Sequence, residues 1–86
     1  AAMKLYLVLS DGVDGSTQAG IDRFRIRDDT LLVVTEQTQS RLYHDVKRQI
    51  GPDAELLVCP LEGDPKFKNM NKGALAWLRE VRERHL

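Results

Sequence analysis

One aspartate is the residue of this sequence best placed for chemistry. Asp11 follows an alternating apolar run, Lys4 to Ser10, so it lies where a strand ends, a usual location for functional residues in α/β layouts. A carboxylate there could hold a divalent cation. A turn residue is the simpler interpretation, because aspartate is common wherever a strand stops. A calcium loop counted from Asp11 is excluded, since Val13 and Gly15 would occupy two of its first three ligand positions.

A polar loop over residues 66–72 is a second candidate site. Lys66, Lys68 and Lys72 surround Phe67 just ahead of a predicted helix. Ammonium groups and helix N-terminal amides both favour an anion, and an exposed aromatic ring could stack on a base. The alternative is a solvated loop in which Phe67 and Met70 pack under the sheet. The sequence leaves both interpretations open.

Three arginines recur at every second position of a further predicted strand. They are Arg23, Arg25 and Arg27, and the residues between them, Phe24 and Ile26, are predicted to face inward. Such a row either guards a sheet edge by its charge or contacts phosphate. Guarding an edge is the commoner use, and three neighbouring aspartates would neutralise the row.

Cysteine and zinc chemistry have little support. Cys59 is the single cysteine and lies in an apolar run, which predicts a buried small hydrophobic side chain. His44 and His85 are not placed near it, and no Cys/His spacing fits a zinc site. We therefore expect no cofactor, apart from Mg²⁺ if Asp11 is a metal ligand.

Composition predicts one small domain without an overall charge. The 86 residues include 13 basic and 13 acidic side chains, so no net field would hold the chain on nucleic acid or on an anionic membrane. No apolar run reaches about 18 residues, and no leader pattern is visible, which predicts a soluble, cytoplasmic protein. Ala1 and Ala2 precede Met3, so we expect the natural chain to start at Met3 and the domain to cover residues 3–86.

The stretch from Thr30 to Leu61 predicts a strand, a helix and a strand. The apolar runs Leu31–Val34 and Glu55–Leu61 are nearly continuous, which favours interior strands covered on both faces. Helical spacing between them predicts a helix of about 20 Å that Thr38 caps and Gly51-Pro52 ends. Its apolar stripe consists of Leu42, Val46 and Ile50.

The flanking segments complete the predicted domain. Residues 11–24 predict a loop, or at most two weak turns, because Gly20 costs a helix on the order of 1 kcal/mol. Asp28-Asp29 predicts a two-residue hairpin connection. A final helix begins after Asn71 as its cap and packs Trp77 onto the sheet or a neighbouring subunit.

The order of these elements predicts an α+β fold, a ferredoxin-like split βαβ with a short or absent first crossover helix, a four-stranded mainly antiparallel sheet and a C-terminal helix. The segments KLYLVLSDG, TLLVVTEQTQSRLYHDVKRQI and AELLVCPL resemble the small ferredoxin-fold nucleases of CRISPR adaptation and their uncharacterised single-domain relatives. The resemblance implies a symmetric dimer whose paired Asp11 residues hold a divalent metal against nucleic acid. This sequence departs from the pattern in its first crossover and in lacking a recognisable catalytic arginine or serine.

Two functions of different classes follow, so whether the protein is an enzyme stays open. The first is a non-catalytic homodimeric module that binds a protein partner or small ligand through its sheet edge or the loop at 66–72. The alternative is a metal-dependent endonuclease or phosphodiesterase with Asp11 as the Mg²⁺ ligand. A dimer is expected in either case, because a weak crossover would leave part of one sheet face uncovered in a very small domain.

Overall fold

The computed structural model describes residues 2–86 and contains one sheet flanked by helices. The elements are β1 (Lys4–Leu9), β2 (Asp22–Arg27), β3 (Thr30–Thr35), α1 (Gln39–Lys47), β4 (Leu57–Leu61) and α2 (Ala74–His85). The strands are ordered β2-β3-β1-β4, and every neighbouring pair is antiparallel. The predicted α+β class, four-stranded sheet and C-terminal helix are confirmed. Within the described residues, neither helix is long and apolar enough to cross a membrane.

The two apolar runs that predicted interior strands have different positions. β3 lies inside the sheet and all six of its residues are buried, as expected. β4 lies at an edge, so the prediction of an interior strand is wrong there. Pro60 fits an edge because it has no amide hydrogen to donate to a further strand. The Val58 carbonyl of β4 accepts a hydrogen bond from the side chain of Gln39, the first residue of α1, at 2.9 Å.

Apolar side chains cover both faces of the sheet. On one face, Val8, Leu31 and Val33 pack with Leu42 and Val46 of α1; we call this the α1-side cluster. On the other face, Leu5, Leu32 and Val34 pack with Ala74, Leu78 and Val81 of α2; we call this the α2-side cluster. Alternate residues of each central strand enter opposite clusters, as the period of two requires. The domain therefore has three layers, with one helix on each side of the sheet.

The crossover between β1 and β2 is irregular, as predicted. Residues 11–21 form turns and no helix. Val13 and Ala19 of this segment are nevertheless buried in the α1-side cluster. The crossover thus covers the part of the sheet face that we expected it to leave open. The expectation of a dimer was based on that open face, and this reason for it is wrong.

Helix α1 has the predicted start and an earlier end. Thr38 caps it, since its Oγ1 accepts a hydrogen bond from the Arg41 amide at 3.2 Å. The helix ends at Lys47 after nine residues, which at about 1.5 Å per residue is shorter than predicted. Beyond it, the Gln49 amide bonds to the Val46 carbonyl, three residues back, so the last turn is tightened before Gly51 is reached.

Helix α2 packs on the sheet with a different cap from the one predicted. Gly73, at a φ of 94°, precedes Ala74 as the N-cap. Asn71 instead bonds to the edge of β2: its amide donates to the Ile26 carbonyl and its Nδ2 to the Arg25 carbonyl, both at 2.8 Å. Trp77 is more than half buried, as expected, and its ring lies 5.8 Å from that of Phe24.

Candidate functional site

Asp11 is exposed at the end of β1, where the sequence predicted it. Its Oδ1 accepts a hydrogen bond from the Glu55 amide at 2.9 Å, which ties the end of β1 to the segment that enters β4. Within residues 2–86, no group of three or more His, Cys, Asp or Glu side chains is placed to hold a metal ion. Around Asp11 one chain therefore offers at most two such side chains, and octahedral Mg²⁺ would need most of its ligands from water, substrate or a second copy.

The three lysines of the predicted loop are exposed. Lys66, Lys68 and Lys72 form no ion pair with any residue of the described chain, so they are free to meet an anion. Phe67 is half-buried and packs against the α2-side cluster together with Met70. Phe67 would have to leave this cluster to stack on a base.

An exposed apolar surface lies on the α2 face at the β1–β4 end of the sheet. The strand register pairs Leu9 with Leu57 and Leu7 with Cys59, and paired residues lie on the same face. Leu9 is 39% exposed and Leu57 is 54% exposed, while Leu7 is partly covered. We call these four residues the apolar corner. Its Cys59 is exposed, so the prediction of a buried cysteine is wrong, because an edge strand leaves this side chain outside the core.

An open groove of about 580 Å³ separates the crossover from α1. At one wall, the side-chain amide of Gln49 binds the backbone of Gln18 in both directions: Oε1 accepts from the Gln18 amide at 2.7 Å, and Nε2 donates to its carbonyl at 2.6 Å. Asp45, which also lines the groove, accepts one hydrogen bond from Gln37 and one from Arg48, each at 2.5 Å. The bond from Gln37, and then the Arg48 guanidinium, lower the pKa of Asp45 below its ordinary value of 3.8.

These polar side chains chiefly bind one another. Both carboxylate oxygens of Asp45 accept a hydrogen bond. The side chain of Gln49 bonds to the backbone of the crossover as a neighbouring strand would. The two hydrogen bonds between Gln49 and Gln18 therefore hold the crossover beside the end of α1. The sequence did not predict this hydrogen-bond network, because the glutamines at positions 18, 37 and 49 form no periodic pattern and no motif.

The three arginines of β2 lie in two different environments. Arg23 and Arg25 are half-buried, and the register places them opposite Val33 and Leu31, which enter the α1-side cluster. Their side chains therefore lie on the α1 face, beside the crossover. Arg27 follows a shift in register and is exposed.

No model of a known protein family, no curated protein and no solved structure matches this chain. Its function is accordingly inferred from its own surfaces.

Proposed function

We propose that the protein is a small non-catalytic module that forms a homodimer through the apolar corner. The observation that carries this proposal is the Leu9–Leu57 pair, two leucines side by side with 39% and 54% of their surface in water. Contiguous exposed apolar side chains on a small domain mark interaction surfaces. Their removal from water is favourable by about 25 cal/mol per Å².

A second copy of the chain is the partner that best fits this surface. The four residues of the apolar corner carry no charge, and the whole chain is formally neutral, so two copies meet without long-range repulsion. A two-fold contact places the same patch on both sides, which a leucine surface accommodates by packing on itself. Stable interfaces use roughly 20 residues or more a side, so we expect a weak dimer that depends on concentration.

The sheet edges are less suited to binding a partner by strand addition. On β4, Pro60 has no amide hydrogen and the Val58 carbonyl already binds Gln39. On β2, Asn71 occupies the carbonyls of Arg25 and Ile26. An added strand depends on free backbone groups, so both edges favour side-chain contacts instead.

The dispersal of reactive side chains supports a role without catalysis. Asp11 lies at the end of β1, His44 on α1 and Cys59 on β4. Asp11 and Cys59 form no hydrogen bond with a histidine in the described chain, so neither has an imidazole base bonded to it.

The ferredoxin-like arrangement is part of the same proposal. Its support is the strand order β2-β3-β1-β4, in which β1 lies between two strands that α1 connects, as a split βαβ unit requires. Two features depart from that plan: the first crossover has no helix, and α2 covers the face opposite α1.

Sedimentation equilibrium at micromolar concentrations tests the dimer. We expect wild-type protein to associate and Leu57→Ser to weaken association. Leu75→Ser is a matched control, since Leu75 is 52% exposed but lies on α2 outside the apolar corner. A wild-type mass of 9.8 kDa across the whole range would overturn the proposal.

A metal-dependent phosphodiesterase is the second candidate, and the position of Asp11 favours it. Asp11 binds Glu55 at the same end of the sheet as Leu9 and Leu57, so a dimer formed there would bring the two Asp11 carboxylates toward one interface. Mg²⁺ held between them would act as a Lewis acid toward a phosphodiester. The exposed Lys66, Lys68 and Lys72 would contact the phosphates.

Fluorescence anisotropy with a labelled single-stranded oligonucleotide across a salt series tests this second candidate. Binding should weaken with a log-log slope of about 0.7 per phosphate neutralised, and replacing all three lysines with alanine should reduce that slope by about two units. Asp11→Asn should retain binding and abolish cleavage. The absence of binding at low salt would remove the support for this activity while leaving the dimer untouched.

A further inference from the structure

The half-buried pair Arg23 and Arg25 is unusual for an edge strand. Arginines that guard an edge extend their charge into water, where it repels a neighbouring sheet. These two side chains instead lie on the α1 face against the turn at Asp14 and Gly15. A cavity of about 180 Å³ opens between them and that turn. At about 30 Å³ per water molecule, it has room for roughly six waters or for a phosphate group with its hydration.

The hydrogen-bonding capacity of these arginines is largely unused. The Arg23 Nη2 donates one bond, to the Gly15 carbonyl at 3.3 Å. The Arg25 side chain makes no hydrogen bond or ion pair within residues 2–86. Each guanidinium carries five N–H donors, so most donors of this pair are open to water or to a ligand. The cavity is therefore rich in donors.

The charge balance of the cavity is positive. Asp14 is its one carboxylate, and it is already engaged, since its Oδ1 accepts from the Ser16 amide at 2.8 Å and from the Ser16 hydroxyl at 2.6 Å. These bonds, with a smaller contribution from Arg25, keep the pKa of Asp14 below 3.8. The positive charges of Arg23 and Arg25 thus outnumber the single negative charge of Asp14, whose Oδ1 already accepts two hydrogen bonds.

We propose that the cavity between Arg23 and Arg25 binds a phosphate group. The planar guanidinium fork matches the oxygens of a phosphate in two parallel hydrogen bonds, which lysine cannot supply. The group can belong to a small phosphorylated molecule or to a nucleic-acid backbone, because both present the same oxyanion. The competing role is purely structural: the aliphatic stems of the arginines cover Leu31 while their charged ends reach water.

Titration of the full chain with inorganic phosphate, followed by ¹H–¹⁵N NMR, separates these roles. We expect saturable shifts of the Gly15 amide and of the Arg23 and Arg25 side-chain resonances. Arg25→Gln should weaken binding about tenfold or more, the effect of losing a charged hydrogen bond. Arg25→Lys should weaken it as well, because it retains the charge and loses the fork. Arg27→Gln is the matched control and should bind like wild type, since Arg27 is exposed and does not line the cavity.

A second titration with a short oligothymidylate distinguishes the two sources of phosphate. Tighter binding than inorganic phosphate at the same resonances identifies a nucleic-acid backbone, and binding of inorganic phosphate alone identifies a small ligand. The spectra also report whether each variant is folded. The proposal is overturned if wild-type protein shows no saturable shift with either probe, or if Arg27→Gln weakens binding as much as Arg25→Gln.

Discussion

At the scale of single residues, Gly20 fixes the path of the crossover. Its φ of 59° is one that side chains rarely adopt, and a methyl group there would overlap with the Val34 carbonyl oxygen and lie 2.7 Å from Val33 Cγ1. The Ile21 amide needs this close approach, because it donates to the same Val34 carbonyl at 2.9 Å. Glycine is therefore required for the chain to enter β2.

We expect Gly20→Ala to destabilise the protein by about 2 kcal/mol or more, from backbone strain and steric overlap together. Gly15→Ala is the control, since a methyl group there meets no atom within 4 Å, and it should change stability by less than about 0.5 kcal/mol. Urea denaturation gives both values. Equal effects of the two substitutions would contradict this role of Gly20.

Trp77 combines a large packing surface with an unusual polar atom. Its ring packs with Phe24 in the α2-side cluster, while its Nε1 is buried and has no acceptor within the described residues. We expect Trp77→Ala to cost about 3 kcal/mol or more, as loss of a large core side chain does. Trp77→Phe should cost roughly 1 kcal/mol or less, because it retains a ring and removes the unpaired donor.

Urea melts of the two Trp77 variants give the comparison. A loss below about 1 kcal/mol for Trp77→Ala would contradict a packing role for Trp77.

At the scale of elements, Asp45 connects the two ends of α1, because it accepts hydrogen bonds from Gln37 ahead of the helix and from Arg48 at its C-cap. The pKa of Asp45 is lowered in the folded protein, so its contribution to stability is fully present above the ordinary value of 3.8. That contribution is lost as the pH falls through the lower folded-state pKa. The two bonds to Asp45 therefore weaken in acid and contribute no further stability above neutral pH.

We expect Asp45→Asn to be less stable than wild type at neutral pH, and the difference to shrink as the pH falls below 3.8. Denaturant melts across this range measure the difference. Asp53→Asn is the control, because Asp53 is exposed outside the groove, and its curve should parallel that of wild type. A difference for Asp45→Asn that stays constant with pH would contradict this contribution of the Asp45 carboxylate.

At the scale of the whole molecule, one chain has a complete core. Outside the apolar corner, each sheet face carries a buried apolar cluster, and the radius of gyration of 12.1 Å matches the value of about 12 Å expected for a compact domain of this length. The proposed dimer is thus an addition that covers the apolar corner and is not needed to finish the fold.

We therefore expect the midpoint of thermal unfolding to rise with protein concentration, because association stabilises the folded state by mass action. The rise should be lost in Leu57→Ser and kept in Leu75→Ser, which removes a leucine of similar exposure elsewhere. Scanning calorimetry over a range of concentrations measures it. A midpoint independent of concentration in wild-type protein would count against the dimer.

Local patterns of residues were sufficient to predict several elements of the fold. Alternation predicted β1, the continuous apolar run of Leu31–Val34 predicted β3 as a buried strand, and Asp28-Asp29 predicted the hairpin connection. The cap at Thr38 and the missing crossover helix were also predicted. These features depend on the backbone preferences of single residues and on periods of two or 3.6 residues. Both can be recognised from residues that are close together in the sequence.

Which surfaces face water, and which distant groups form contacts, depends on long-range packing. The apolar run that contains Cys59 is equally compatible with an interior or an edge strand, and strand order placed it at the edge. Asn71 binds Arg25 across 46 positions, Asp11 binds Glu55 across 44, and Gln49 binds Gln18 across 31. Such pairings produce no periodic pattern in the sequence, because each depends on how the sheet and helices pack.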